Sequence, residues 1–201
     1  VRQGLATGEN NRFLRLWWEV DDNKVFYDAN NKEEFFESKK KWSPYNKGGA
    51  RRQWYGNYDY LISFDVESYN ILSKQGNKLP SREYYFIEAI TWGLITSGGF
   101  SIRYRTSGGI HDVSGMSAFS ENKLLLKYIL GVMSTNLSDY FLKMLHPTVK
   151  LQAGDFKNFP VIINKEKEEV VLSLVDKNIE LAKEDWDSHE DSWDFKRHPL
   201  I

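Results

Sequence analysis

The sequence predicts an α/β (α+β) fold, in which a mixed twisted β-sheet comes first, helices follow, and one long C-terminal helix closes the chain. Short stretches rich in β-branched and aromatic residues, separated by glycine, asparagine and serine, occupy the chain as far as residue 119. From residue 122 onward, apolar residues recur at helical spacing. With 41% hydrophobic and 15% aromatic residues among 201, the chain has enough apolar surface to fill a core.

Six segments have the residue pattern of β-strands, in chain order 14–20, 58–66, 88–96, 100–105, 110–113 and 116–119. A short amphipathic helix over 31–41 and a glycine loop over 47–50 separate the first two strands. The turn-forming sequence at 106–109 predicts that 100–105 and 110–113 pair as a hairpin.

The helices that follow are predicted from apolar stripes. One stripe spans 124–133 and a second spans 137–145, and Pro147 ends the second helix because proline cannot continue it. Residues 149–160 are predicted to form a loop. Asn164 is the predicted N-cap of the last long helix, whose apolar seam extends to Ala182.

Charge is unevenly distributed along the chain. The net charge is −1 overall, but residues 165–201 hold six basic and eleven acidic side chains, a net of −5, so residues 1–164 carry +4. A mildly basic body with an acidic tail is compatible with nucleic-acid contact through a local patch. The absence of cysteine excludes disulfides and thiolate metal sites and fits a reducing cytoplasm. No apolar run reaches membrane-spanning length, so no membrane partner is expected.

Several motifs follow one another in a fixed order. Residues 4–13, Gly-Leu-Ala-Thr-Gly-Glu-Asn-Asn-Arg-Phe, fit the pattern Gly-x-x-Thr-Gly-x-Asn-x-x-Phe. Further blocks lie at 42–49, 52–57, 90–92 with 100–104, 128–135, 147–160, 185–187 and 192–200. This ordered set resembles the target-recognition region of type IIG restriction-modification enzymes and related adenine methyltransferases. Its C-terminal blocks resemble the linker of adenine-specific DNA methyltransferases of the BREX (Pgl-type) phage-exclusion systems. His146 departs from the pattern, because asparagine is usual before Pro147-Thr148.

The resemblance implies a division of labour. The parent enzyme would use S-adenosylmethionine to methylate the N6 amine of adenine, in a Rossmann-like catalytic domain expected upstream of residue 1. Residues 1–163 would be the DNA target-recognition domain, and 164–201 a C-terminal helical spacer. The partners implied are double-stranded DNA, the upstream methyltransferase domain of the same chain, and other proteins of a defence system. The target adenine would be flipped into the upstream domain.

The motifs for methyl transfer itself are missing from these residues. Such enzymes hold the flipped base with an Asn/Asp-Pro-Pro-Tyr/Phe loop and the methyl donor with a glycine-rich turn. None of the five prolines here is adjacent to another, and no Gly-x-Gly or Gly-Lys occurs among the fourteen glycines. The fragment is therefore expected to be non-catalytic and to bind no cofactor.

Candidate DNA contacts fall in four groups. The glycine loop and the residues after it offer Lys47, Arg51, Arg52 and Tyr55. Glycines there allow a phosphate to approach, and arginines bond phosphate oxygens or guanine edges. The alternative is a solvated turn in which the arginines stack on aromatic rings. Arg103 and Arg105 point to the same face of a strand, which either contacts DNA or covers the sheet. The first motif offers Asn10, Asn11 and Arg12, for which the alternative is capping of a turn. The predicted loop 149–160 offers Lys150 and Gln152.

Two other functions stay open. The acidic tail with Trp186 and Trp193 could make the chain a protein-interaction module, although both tryptophans are also expected to anchor the terminal helix. A small nuclease is the other alternative, since Asp112 followed by Glu121-Asn122-Lys123 loosely imitates a metal-dependent cleavage motif. The four histidines have no spacing that indicates a shared metal site.

Overall fold

A computed structural model describes residues 1–75, 79–93, 99–145 and 153–201, and it contains two β-sheets. The first sheet has the order β1-β3-β2-β6, with β6 parallel to β2 and the other pairs antiparallel. The second is antiparallel, with the order β5-β4-β7. The strands are β1 Leu14–Leu16, β2 Trp42–Asn46, β3 Tyr60–Ser63, β4 Ala89–Gly93, β5 Ile102–Arg105, β6 Ile110–His111 and β7 Gly115–Ala118. The mixed α/β class is confirmed, with the strands divided between two sheets.

Seven α-helices belong to the described residues. They are α1 Asn10–Phe13, α2 Lys32–Glu37, α3 Val66–Leu72, α4 Lys123–Met133, α5 Asn136–Leu145, α6 Ala153–Lys157 and α7 Glu168–Asp187. The amphipathic helix predicted over 31–41 is therefore shorter, and Asn31 caps it by accepting a hydrogen bond from the Glu34 amide at 2.8 Å. Residues 153–157 form a helix where a loop was predicted. None of the described helices is both long enough and apolar enough to cross a membrane.

The predicted hairpin between 100–105 and 110–113 is wrong. β5 pairs with β4, whereas β6 pairs with β2 of the other sheet. The intervening turn bonds to Phe86 instead of closing a ladder: the Gly108 amide donates to the Phe86 carbonyl at 3.0 Å, and the Phe86 amide donates to the Gly109 carbonyl at 2.9 Å. The chain therefore crosses from one sheet to the other after Arg105.

The first predicted strand is also too long. β1 ends at Leu16, and a 3₁₀ turn over Trp17–Glu19 follows. The turn closes because the Glu19 carboxylate accepts a hydrogen bond from the Leu16 amide at 2.8 Å. The strand predicted over 58–66 is likewise reduced to β3, and the part of 88–96 beyond residue 93 lies outside the described residues.

Each sheet covers its own hydrophobic core. Under the first sheet, aromatic rings of α2, β3 and the segment before β4 pack together, with the Phe35 and Phe86 rings stacked at 5.9 Å. The second sheet packs against α4, α6 and α7, where Trp92 stacks on Phe156 at 4.1 Å. The two sheets thus present their other sides to each other around a partly polar interior.

The terminal helix packs against the body. Asn164 accepts hydrogen bonds from the Glu166 and Lys167 amides, so it caps the 3₁₀ turn that precedes α7. The N-cap of α7 itself is Lys167, three residues later than predicted. α7 crosses α4 closely at Gly131, where a Cβ atom would lie 2.7 Å from the Val175 side chain. Trp186 is 3% exposed, so its predicted role as an anchor is confirmed.

Candidate nucleic-acid interface

The first sequence motif folds into a fixed support for α1. Gly4 lies against the backbone of β6, where a Cβ atom would come within 1.9 Å of the His111 carbonyl oxygen. The Leu5 amide donates to that same carbonyl at 2.9 Å, so the chain is held at the strand. Buried Thr7 then donates its hydroxyl to the Asn10 side chain at 2.5 Å. The motif therefore sets the position of the short helix that carries Asn10 and Asn11 into solvent.

An open groove of about 480 Å³ joins this motif to the second one. Its polar lining consists of Asn10, Asn11, Arg15, Glu19, Lys47 and Tyr60. The Lys47 ammonium lies 5.3 Å from the centre of the Tyr60 ring. Arg15 donates to the backbone oxygens of Asn11 at 2.8 Å and Leu14 at 2.6 Å, which fixes its guanidinium along the groove wall. Predicted residues from two distant blocks are thus neighbours on one surface.

Arg15 was missed by the sequence reasoning. It stands four residues after Asn11 and two residues after the end of the first motif, so proximity to that motif was the signal that could have identified it. Arg12 lies on the other side of α1, over the Phe13 ring at 5.2 Å and 3.8 Å from the Glu9 carboxylate. Both partners of this ion pair are about half exposed, so the charge of Arg12 is only weakly compensated.

The glycine loop is held from behind by Asn57, whose amide donates to the Ala50 carbonyl at 2.8 Å. Arg51, the next residue, is exposed, and its Nε atom would be 3.8 Å from a Cβ atom placed on Gly99. Among the described residues Arg51 makes no ion pair. Its charge interacts with Asp139 over a distance and helps to lower the pKa of that carboxylate, and the exposed guanidinium can still reach a partner.

The side chains of Arg52 and Tyr55 point toward the terminal helix α7. The Arg52 guanidinium lies over the Trp186 ring at 4.6 Å and pairs with Asp185 at 3.6 Å. Tyr55 is buried against the Tyr58 ring at 5.1 Å, with the Lys183 ammonium 5.4 Å from its centre. Both side chains join the body to the terminal helix, so the structure favours the alternative of a packing role over DNA contact for these two positions.

Arg103 and Arg105 face the interior between the two sheets, each only 1% exposed. Arg105 donates to the Gly109 carbonyl at 3.0 Å and to the Ile87 carbonyl at 2.6 Å. Burial lowers the pKa of each guanidinium to about 10. The structure therefore favours the alternative that this face covers the sheet. Strand alternation showed that both arginines share a face, but could not show that a second sheet lies over it.

The remaining predicted features have different outcomes in the structure. Lys150 and Gln152 lie outside the described residues. The Asp112 carboxylate has a structural role, because it accepts hydrogen bonds from the Tyr45 hydroxyl and the Ser114 amide. Within the described ranges, no group of three acidic, histidine or cysteine side chains is placed to hold a metal ion. Trp193 packs on Tyr27 and Tyr58 at 5.1 and 5.3 Å, so the tryptophans of the tail form no exposed patch.

Exposed apolar side chains lie elsewhere, on one face of α5. Leu137, Tyr140 and Met144 are 62%, 62% and 64% exposed, and Phe141 beside them is 39% exposed. Their spacing places them along a single helical stripe. This stripe is one of the exposed apolar surfaces of the described residues, and a partner protein could pack on it.

The chain is similar to one region of two curated proteins and spans about a sixth of their length. No protein-family model matches it. The adenine-specific methyltransferase PglX of Lacticaseibacillus casei (strain Zhang) is 37% identical over 208 residues, which covers all of this chain and 17% of PglX. The adenine-specific methyltransferase BrxX of Escherichia coli O9:H4 (strain HS) is 36% identical over 202 residues, which covers 99% of this chain and 16% of BrxX. The predicted resemblance to a region of an adenine-specific methyltransferase of the BREX/Pgl kind is confirmed.

Proposed function

We propose that this chain, which is similar over its whole length to one region of the adenine-specific methyltransferases PglX and BrxX, recognises the DNA target of such an enzyme. The observation that carries the proposal is the groove between α1 and Lys47, where polar and basic side chains from two separate motifs share one open surface. The groove offers an amide-rich wall and a cationic wall, which are the two kinds of group that DNA binding requires.

The chemistry of the lining suits the two parts of recognition. An asparagine amide can donate and accept at once, so Asn11 can bond the adenine edge in the major groove through two hydrogen bonds. Lys47 and Arg51 supply charge for phosphate oxygens, which set the register without reading sequence. Because Arg15 is already bonded to backbone oxygens, it would present an ordered guanidinium to the duplex.

In the whole protein, recognition by residues 1–163 would be coupled to chemistry elsewhere. We place S-adenosylmethionine and the transfer to the adenine N6 amine in a catalytic domain that precedes this region, and assign residues 164–201 to a helical spacer. The biological setting would be restriction-modification or phage defence, in the cytoplasm, together with other proteins of that system. The chain itself would contribute the discrimination between target and non-target duplexes.

Salt dependence of duplex binding tests the proposal. Each phosphate contact that is lost lowers the slope of log affinity against log salt by about 0.9. Lys47→Gln should therefore reduce the slope by about 1 and weaken all duplexes alike. Asn11→Ala should leave the slope unchanged and reduce the preference for the target duplex. Fluorescence anisotropy with labelled duplexes, between about 50 and 200 mM salt, measures both quantities.

The matched control is Lys165→Gln, which removes an equally basic side chain, 83% exposed, at the start of the terminal segment away from the groove. It should leave both the slope and the preference as in the wild type. If Lys47→Gln and Lys165→Gln behave identically, the groove is not the DNA-contacting surface and the proposal is wrong.

A second function, docking of a partner protein, is favoured by the exposed stripe on α5. Leu137→Asp combined with Met144→Asp would break its apolar character without touching the groove. Loss of association with the remaining proteins of the defence system, with unchanged duplex binding, would assign the stripe to protein contact. Retained association would exclude it.

A further inference from the structure

The interior between the two sheets contains more hydrogen-bond donors than acceptors. Four N–H groups there have no hydrogen-bond partner: Nε and Nη2 of Arg103, Nε of Arg105 and Nδ2 of Asn46. All three side chains are 3% exposed or less. An unpaired donor in a buried position destabilises the folded state, and a buried charge without a counter-charge does so more strongly. An interior of this kind requires an acceptor.

Two of the side chains with unpaired donors, Asn46 and Arg105, line the same cavity. Arg103 is the register partner of Thr91, whose hydroxyl lies 3.2 Å from the Asn46 side-chain oxygen. Arg105 stands two residues along the same strand and therefore on the same face. Asn46 and Arg105 together line an enclosed cavity of about 30 Å³, which is also lined by Tyr58, Thr106 and Trp193.

The local charge has no nearby compensation from the protein. Neither Arg103 nor Arg105 makes an ion pair with a carboxylate in the described part of the chain. Asp59 interacts with Arg103 only over a distance, and Arg52 opposes that effect. Arg105 bonds two carbonyl groups, which are dipoles and leave its full positive charge in place. Two cationic side chains thus share a small interior with no anionic group in contact.

From this arrangement we infer that the cavity beside Asn46 and Arg105 is a binding site for a small inorganic anion of the size of chloride. The volume of about 30 Å³ admits one such ion or one or two waters, and excludes phosphate esters and nucleotides. The ion would accept hydrogen bonds from the Asn46 amide and from the Arg105 guanidinium. Trp193 lines the same cavity, so the bound ion would also stabilise the seat of the C-terminal segment.

The test introduces a carboxylate of the protein in place of the proposed anion. Asn46→Asp keeps the shape of the side chain and the oxygen that accepts from Thr91, but turns the unpaired amide into a fixed negative charge. Thermal unfolding is measured in sodium chloride and in sodium gluconate at equal ionic strength. For the wild type, we expect the midpoint to rise by about 3–6 °C when chloride exceeds its dissociation constant tenfold. In Asn46→Asp this rise should disappear.

Asn23→Asp is the control, because it makes the same change of charge at an exposed position outside the cavity and should keep the chloride response. A direct measurement on the wild type needs no variant: the ³⁵Cl resonance should broaden on adding protein and sharpen again when bromide competes. Equal unfolding midpoints in the two salts, an equal response of Asn46→Asp and Asn23→Asp, or an unbroadened resonance would each overturn the inference in favour of bound water.

Discussion

The guanidinium of Arg52 lies over the indole ring of Trp186, with Cζ 4.6 Å from the ring centre. Gly56 makes this contact possible, because a Cβ atom there would come within 2.9 Å of both side chains, and its φ of +114° is a conformation that favours glycine. The adjacent arginines therefore have different surroundings: Arg52 faces the terminal helix, and Arg51 faces solvent. This difference leads to two separable predictions.

The first concerns stability. Arg52→Ala removes the cation–π contact and a largely exposed ion pair, so it should lower the free energy of unfolding by about 1–2 kcal/mol. Trp186→Ala leaves a cavity under the terminal helix and should cost about 3–5 kcal/mol. Arg51→Ala should change stability by less than about 0.5 kcal/mol. Urea unfolding of the three variants measures these differences. Equal effects at 51 and 52 would contradict the assignment.

The second concerns DNA. Arg51→Ala should weaken duplex binding by about three- to tenfold at low salt, since it loses one phosphate contact. Adding Arg52→Ala should weaken binding little further. A gel-shift titration of the single and double variants decides this. If only Arg52→Ala lost binding while the variant remained folded, Arg52 and not Arg51 would make the contact, and the prediction would be wrong.

A third prediction compares two glycines. Gly4→Ala would place a methyl group 1.9 Å from the His111 carbonyl oxygen, so we expect a loss of about 2–4 kcal/mol as the backbone shifts. Gly154→Ala, in α6, meets nothing within 4 Å and should be neutral or stabilise by up to about 1 kcal/mol. Chemical unfolding of both variants checks the pair. A harmless Gly4→Ala would show that the first motif does not require this close approach.

A fourth prediction concerns acid sensitivity. His111 is fully buried against the rings of Tyr85 and Phe119, and burial, with Arg105 nearby, lowers its pKa to about 2. The unfolded chain therefore binds a proton below about pH 6.5 that the folded chain does not, and stability falls as the pH drops from there. Between pH 6.5 and 5 this residue should cost about 1.5–2 kcal/mol.

His111→Leu should remove this part of the acid dependence, because it has no proton to bind. The comparison is made by urea unfolding of wild type and variant at pH 7, 6 and 5. Identical slopes of stability against pH in the two proteins would contradict the prediction.

Most of the correct fold predictions rest on residue patterns that are local in the sequence. The apolar stripes of α4 and α5 and the loop over 47–50 depend on short-range patterns, and each is present. Asn164 is a cap as predicted, but of the 3₁₀ turn just before α7. The hairpin failed because the partner of 106–109 is Phe86, some twenty residues away, and no local pattern reports such a bond. The sequence predicts one sheet where the structure has two for the same reason, because pairing between distant strands depends on tertiary contacts.

The candidate site was predictable in its motifs and less so in its side-chain directions. Asn10, Asn11 and Lys47 lie on one groove, and this could be expected only from the resemblance, because nothing local joins residues 10 and 47. The sequence pattern of a basic residue next to aromatic residues is the same whether the basic side chain faces DNA or packs on a tryptophan. Arg51 and Arg52 show that only the position of Trp186, far along the chain, distinguishes the two cases.

The packing of Trp193 and Lys183 on Tyr58 and Tyr55 has a practical consequence for chimaeras. Transplanting residues 1–163 alone into a related protein would pair these tyrosines with a foreign tail. The transplanted piece should extend past Asp194, so that the aromatic seam and its lysine travel together. A swap that ends earlier would confuse damaged folding with altered sequence preference.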